Sequence, residues 1–277
     1  MIDNFDYEKP KTIKQAVSAL AKNNSARVLA GGTDLIVLMR AGVEHPEILV
    51  DIKNIPALRE IKITKNCVSI GAAVSLNELS TNKKIAREFN ALVNAANSIG
   101  TFQLRNRATL AGNICNASPA ADAAPSLLIF NAEVCVAGKS GVRQIPISDF
   151  FVGVKKTALL PGEFVTNIIL PFQEKNAASA FAKQQRLNGH DLAIANAAAL
   201  FLPKKGILKI ALGSVFKTPI SLPEISASKK DVKAAIRKAI AAAKKIIAPI
   251  DDVRSSAEYR KIIVEALIKK VVTEVLI

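Results

Sequence analysis

The chain has 277 residues, half of them hydrophobic, and its 38 Lys and Arg outnumber its 23 Asp and Glu by 15. That apolar content excludes a disordered chain, and with no Trp and only 5% aromatics the core must be aliphatic. The charge leaves nucleic acid, an anionic membrane surface and an acidic protein open as partners and does not choose among them.

In chain order, the first eleven residues mix acids with a proline and lack an apolar run, so no signal peptide is expected. Thr12 and Gln15 form a capping box ahead of Ile13, Ala16, Val17 and Leu20, which recur at helical spacing. Residues 27–30 read as a short buried strand that Gly31-Gly32 breaks. Thr33 then stands where it can cap a helix through Leu35, Ile36, Leu38 and Met39. A strand at residues 48–52 completes a small α/β unit with one parallel crossover, residues 1–57.

Residues 61–63 and 67–71 read as strands joined at Lys65-Asn66, and residues 76–79 and 85–99 as helical. Residues 100–122 show no periodicity and are rich in Asn, Ala and Thr. A short helix at 125–130 and strands at 133–137, 143–147 and 165–170 complete an α+β region, residues 58–172. In the remainder, residues 173–277, strands are expected at 180–183, 192–202 and 209–215, although the run Ala197-Ala198-Ala199 fits a helix equally. Two helices end the chain, one with the stripe Val232, Ile236, Ile240, Ala243 and Ile247, the other with Tyr259, Ile262, Ile263, Ala266, Leu267 and Val271.

The most apolar run, residues 192–202, is too short to span a bilayer and contains Asn196. Cys67, Cys115 and Cys135 form no C-x-x-C pair and are odd in number, which fits a reducing compartment and a cytoplasmic protein. His45 and His190 lie too far apart in sequence for zinc spacing, and three thiols are too few for an iron–sulfur cluster. Cys115 is expected to be a small buried residue, and 188–191 a surface turn. After residue 203, 16 Lys and Arg face 7 Asp and Glu, with no aromatic interleaving. That imbalance reads as a solvated face or as a dock for an acidic partner protein; no nucleic-acid motif accompanies it.

Two loops carry the candidate chemistry. In Leu29-Ala30-Gly31-Gly32-Thr33-Asp34-Leu35, glycines let the backbone approach a ligand, turn N–H groups can cradle a diphosphate, and Thr33 adds a hydroxyl. The dinucleotide spacing G-x-G-x-x-G is missing, and a plain turn explains this segment equally well. The second loop, residues 105–122, combines small side chains with Asn106, Asn113, Asn116 and Thr109 and closes on Asp122, an acceptor for hydroxyls. It suits a flat or extended ligand, or an ordered loop held by Asn-capped turns. No residue is placed as a nucleophile, general base or metal ligand.

The segments 30–35, 109–113 and 117–122 resemble the flavin signatures A-G-G-[TH]-[DS]-L, T-I-G-G-N and A-x-P-x-x-D of the FAD-binding medium subunit of molybdenum hydroxylases. That family includes carbon monoxide dehydrogenase and xanthine dehydrogenase. The resemblance continues through Phe5-Asp6-Tyr7, Gln103-Leu104-Arg105-Asn106 and Pro249-Ile250-Asp251-Asp252-Val253-Arg254. It implies an α+β fold: a two-subdomain FAD-binding domain of the PCMH type, then a smaller α+β domain with a short antiparallel sheet and C-terminal helices. It implies that Leu29 to Leu35 and Thr109, Ala111, Gly112 and Asn113 hold the FAD diphosphate, that Asp122 binds ribose or ribityl hydroxyls, and that Ile168 and Lys183 approach the flavin. Ala111 departs from the usual glycine, which a negative φ would tolerate. The implied role is electron transfer. A small subunit with two 2Fe–2S clusters, served by a large molybdenum-cofactor subunit, reduces the FAD, which reduces NAD, a quinone or another external acceptor. A stand-alone flavin reductase or oxidase of the related fold is the alternative, and it would need a substrate pocket and acid or base of its own.

Overall fold

The computed structural model describes residues 2–187 and 189–277. The chain begins with β1 (Asp6–Glu8), α1 (Ile13–Leu20), β2 (Arg27–Leu29), α2 (Leu35–Arg40) and β3 (Ile48–Asp51). These strands form a parallel sheet in the order β1-β3-β2. Helix α1 starts at the expected box: Thr12 Oγ1 accepts from Gln15 N at 3.1 Å, and the Gln15 side chain accepts from Thr12 N at 3.2 Å. Strand β1 has no sequence signature. Its three residues are polar or exposed, and pairing to β3 alone makes them a strand. The Tyr7 hydroxyl donates to Asp51 at the end of β3, which pushes the phenol up to about 12.

The middle region runs β4 (Ile61–Ile63), β5 (Cys67–Gly71), α3 (Leu76–Thr81), α4 (Lys83–Glu88), α5 (Asn90–Asn97), α6 (Phe102–Arg105), α7 (Leu110–Cys115) and α8 (Ala123–Ile129). It continues with β6 (Glu133–Gly138), β7 (Gly141–Pro146), α9 (Ile147–Phe150), β8 (Phe151–Gly153), β9 (Lys156–Thr157) and β10 (Phe164–Pro171). An antiparallel sheet ordered β4-β5-β10-β6-β7 forms one layer. Residues 100–122, expected to be irregular, contain α6 and α7. Each is a turn or so long, too short to display an apolar period. The expected helix at 85–99 is broken at Phe89, whose φ of −131° leaves the helical range while its ring stacks on Phe172 and meets Phe130 edge-on.

The last region comprises β11 (Ala178–Gln184), β12 (Ala195–Leu202), β13 (Ile207–Gly213), β14 (Ile220–Ser221), β15 (Ile225–Ser226), α10 (Val232–Ile246) and α11 (Ala257–Leu276). Its antiparallel sheet is ordered β11-β12-β13-β14, with β15 also on β13. The alanine run is therefore strand, and β12 is buried at every position. Alternate residues explain this: Ala195, Ala197, Ala199 and Phe201 face the core under α10 and α11, whereas Ala198, Leu200 and Leu202 join the core containing α8. The expected α10 stripe packs inward: Val232, Ile236, Ile240 and Ile247 lie partly buried against the core with Ala243, while Ala235 and Ala239 add fully buried small residues that let helices approach closely. The α11 stripe needs correction. Along α11, Tyr259 and Ile262 are exposed and the buried set is Val264, Leu267, Ile268, Val271, Val272, Val275 and Leu276. That helix packs on β11 and β12 and on α10, so it buries more than one stripe. Among the described residues, no helix is long and apolar enough to cross a membrane.

Candidate functional site

The first glycine turn and the second loop meet. A Cβ placed on Gly31 would fall 2.1 Å from the carbonyl oxygen of Arg107, so only glycine lets these two backbones touch. Gly32 has φ +75°, the left-handed conformation that starts the turn into α2. Thr33 does not cap that helix: Asp34 holds the N-cap position, without a side-chain cap hydrogen bond. Among the described residues, no hydrogen bond uses the N–H groups of Gly31, Gly32, Thr33 or Asp34. Four adjacent donors without acceptors are what an anionic ligand requires.

Across from them, Thr109 caps α7 by accepting from Gly112 N at 2.9 Å, which leaves its hydroxyl proton free to donate. Ala111 is buried inside α7 with ordinary helical backbone, so its methyl replaces a glycine hydrogen without strain. Asn113 follows on the same helix, and its Oδ1 is buried without a partner among the described residues. A buried carbonyl oxygen without a donor is costly unless a ligand N–H or O–H completes it. The loop is braced from behind by Asn77, whose Nδ2 donates to the Phe102 carbonyl at 2.9 Å and to Asn106 Oδ1 at 2.7 Å. Arg105 donates to the carbonyls of Ile99 and Gly100 at 3.1 Å each. Cys115, expected to be buried, is exposed at the end of α7. Of the turn at 188–191, Asn188 lies outside the described residues, and His190 is exposed.

Asp122, at the N-cap of α8, joins the middle region to the last one. Lys183 Nζ on β11 donates to Asp122 Oδ2 at 2.7 Å and to the Ser98 carbonyl at 3.1 Å. Asn196 Nδ2 on β12 donates to Asp122 Oδ1 at 2.9 Å. The ion-pair side chains are 6% and 7% exposed. Burial pushes the Asp122 carboxyl up, against the downward pull of the Lys183 charge and the two hydrogen bonds. Both oxygens of Asp122 thus have protein partners, with lone pairs left for a ligand hydroxyl. Ile168 is 1% exposed in β10, the strand packed against α7, and belongs to the same buried cluster as Ala111 and Ile114 of that helix. Sequence reasoning missed Asn196. Its signal was a single amide in an otherwise apolar strand, which needs a buried partner. Gly213 on the neighbouring strand leaves it room: a Cβ there would sit 2.2 Å from Asn196 Oδ1.

Comparison with known proteins assigns the chain to a family. Residues 3–173 match a family model described as the FAD binding domain in molybdopterin dehydrogenase. Residues 179–275 match the CO dehydrogenase flavoprotein C-terminal domain. The chain is 31% identical to the putative xanthine dehydrogenase FAD-binding subunit of Escherichia coli K12, over 99% of this chain and 97% of that one. It is 33% identical to the carbon monoxide dehydrogenase medium chain of Afipia carboxidovorans, over 97% and 96% of the two chains. A solved carbon monoxide dehydrogenase of Hydrogenophaga pseudoflava superposes with a TM-score of 0.92 at 29% identity, covering 99% of this chain and 98% of that one.

Proposed function

The chain belongs to the family of FAD-binding domains of molybdopterin dehydrogenases, joined to a CO dehydrogenase flavoprotein C-terminal domain, and from that premise we propose how its own residues serve. It is the FAD-binding electron-transfer subunit of a multi-subunit molybdenum hydroxylase, an oxidoreductase whose substrate is oxidised on a partner chain. The N–H groups of Gly31, Gly32, Thr33 and Asp34 would hold the diphosphate, with the Thr109 hydroxyl as a further donor. Leu29, Ala30 and Leu35 fix the turn, while Ala111 and Gly112 keep α7 close enough to reach. Asn113 Oδ1 accepts from a flavin or ribityl donor, and Asp122 accepts from cofactor hydroxyls while Lys183 balances its charge. Ile168, buried in β10 behind α7, would act on the cofactor only through the loop it supports. The observation that carries this reading is the contact of Gly31 with the Arg107 carbonyl, which brings the unpaired donors of the first turn to the start of the loop that carries the unpaired Asn113 oxygen.

When bound, FAD supplies the redox chemistry, accepting electrons and passing them on. The protein positions it, excludes water from one side and sets its electrostatics. The partners this role implies are a small subunit with two 2Fe–2S clusters and a large molybdenum-cofactor subunit on the donor side, and an external acceptor. The three cysteines are free thiols, which supports a cytoplasmic setting. Of the three thiols only Cys115 lies within the paired loops, and desolvation pushes it up to about 12, which leaves little thiolate for covalent attachment; both histidines lie outside those loops. Acid precipitation of the loaded protein is therefore expected to leave one FAD per chain in the supernatant; flavin retained in the pellet overturns non-covalent binding.

Helix α10 is the basic face foreseen in the sequence, carrying Lys233, Arg237, Lys238, Lys244 and Lys245 and no acid. Lys244 already pairs with Glu265 on α11 at 2.7 Å, so Lys233 and the three charges Arg237, Lys238 and Lys245 are left for a partner. Replacing those three with Glu is expected to slow association with the cluster-bearing subunit by about tenfold at low salt and to flatten its salt dependence. FAD content stays unchanged. Association kinetics at two ionic strengths check this, and unchanged rates leave the helix as a solvated face.

A further inference from the structure

One sequence motif has no part in the cofactor loops: Asp252 and Arg254, in the segment before α11. The structure joins them to Arg260, which is 2% exposed and the largest fully buried side chain among the described residues. Arg260 Nη2 donates to Asp252 Oδ1 at 2.7 Å, and Arg254 Nε donates to Asp252 Oδ2 at 3.0 Å. The two arginines then divide three backbone carbonyls. Arg260 Nη1 donates to those of Ile194 at 2.7 Å and Ser214 at 3.0 Å, and Arg254 Nη1 to that of Ala193 at 3.2 Å. Ala193 and Ile194 lead into β12, and Ser214 follows β13 directly.

These ends of β12 and β13 are what the Asp122 segment rests on. Ser214 N donates to the Pro119 carbonyl at 2.8 Å, and Asn196 Nδ2, two residues beyond Ile194, donates to Asp122 Oδ1 at 2.9 Å. Ser214 holds φ +63°, a left-handed conformation that a residue with a Cβ adopts only when its surroundings enforce it. The enforcing contacts are its carbonyl to Arg260, its N–H to Pro119, and its hydroxyl to the Ala193 carbonyl at 3.2 Å. Burial raises the Asp252 carboxyl, but the hydrogen bonds from Arg254 and the charges of both arginines outweigh it, so the carboxyl is held well below the usual range.

We infer that Arg260 is a positioning residue for the cofactor site: with Asp252 and Arg254 it latches the ends of β12 and β13 onto Pro119 and Asp122, and retention of FAD depends on that latch. The inference rests on the assignment of FAD to the paired loops. A lysine at this position carries the charge but cannot reach two carbonyls and a carboxylate in one plane.

The test uses the full-length chain loaded with FAD, comparing Arg260→Lys with the wild type. Arg143→Lys serves as a control, because Arg143 pairs with Glu163 at 2.7 Å and shares no hydrogen bond with the latch. For Arg260→Lys, amide exchange at Ser214 is expected to lose protection. FAD should leave about tenfold faster, and the visible circular dichroism of bound flavin should change. The control should keep the wild-type release rate and spectrum even where its Tm falls. If Arg260→Lys fails to fold, Asp252→Asn reads the same latch, since it keeps an acceptor oxygen but removes the shared charge. Wild-type release and an unaltered flavin spectrum in the variant that folds overturn the inference and make Arg260 a purely structural residue. A wild-type chain that takes up no FAD overturns the cofactor assignment instead, and Ser214 exchange then reports the latch alone.

Discussion

Replacing Gly31 by alanine is expected to empty the chain of flavin. The new Cβ would lie 2.1 Å from the Arg107 oxygen and 2.7 Å from its carbon, backbone atoms that cannot rotate aside. The two loops must separate, at a cost of about 1–3 kcal/mol for an overpacked contact. Separation carries the turn N–H groups away from Thr109 and Asn113, so flavin per chain should drop below about a tenth of the wild-type value. Gly42→Ala supplies the comparison. Gly42 has φ +66° with no atom within 4 Å of its added Cβ, so alanine there costs about 1–2 kcal/mol of backbone strain and leaves the cleft intact. Flavin absorbance against protein mass decides the outcome. Gly31→Ala with full flavin would refute the paired-loop site. Gly32→Val should fail as well, because a β-branched residue resists φ +75° and its Cβ would meet Leu29 Cδ1 at 3.0 Å.

Lys183→Met is expected to destabilise the chain by about 3–5 kcal/mol at neutral pH, because it strands the Asp122 carboxylate in a buried site. The loss should depend on pH, with a definite sign. Burial already raises the Asp122 carboxyl, and removing the ammonium raises it further. Below the unfolded carboxyl value of about 3.9, both folded and unfolded chains hold the proton and no penalty for a buried charge exists. As pH climbs from there, the unfolded chain ionises first, so the deficit grows until it levels off above the raised folded value. Urea midpoints of variant and wild type between about pH 4 and pH 8 measure this. A deficit constant across that range would show that Lys183 contributes packing rather than charge. Adding Asp122→Asn to Lys183→Met should recover most of the loss, since a neutral amide needs no counter-ion.

What the sequence disclosed and what it concealed divide along physical lines. Helix α1 was legible because its cap, its partner residue and its apolar period all agree. The glycine turn was visible as a turn, but its reason, the Arg107 carbonyl, lies far along the chain, and no local pattern encodes that contact. Strand β1 has no apolar alternation and exists because β3 offers it an edge. Helices α6 and α7 are shorter than the window over which a period becomes measurable. Tyr259 and Ile262 were assigned to the buried stripe of α11 because a one-sided helix was assumed, whereas that helix meets a sheet and a second helix. Arg260 was overlooked for a related reason. A charged residue in an amphipathic pattern reads as surface, and only the convergence of Ile194, Ser214 and Asp252 around it explains its burial.

The two-faced burial of β12 bears on how such a chain can be made and rearranged. Helix α8, from the middle region, covers the face of β12 opposite α11, and α5 is stitched to β11 where Ala91 N donates to Ser179 Oγ at 3.2 Å. During synthesis α5 and α8 leave the ribosome well before the strands that cover them, so their apolar faces must wait, exposed, for β11 to β13 to emerge. A stop codon after Pro171 would make that wait permanent and hand the product to proteolysis. The break between the two family matches, between residues 173 and 179, is thus no break in the packed interior. Exchanging the C-terminal piece for a relative's would demand matched changes on α5 and α8, since each half finishes the other's interior.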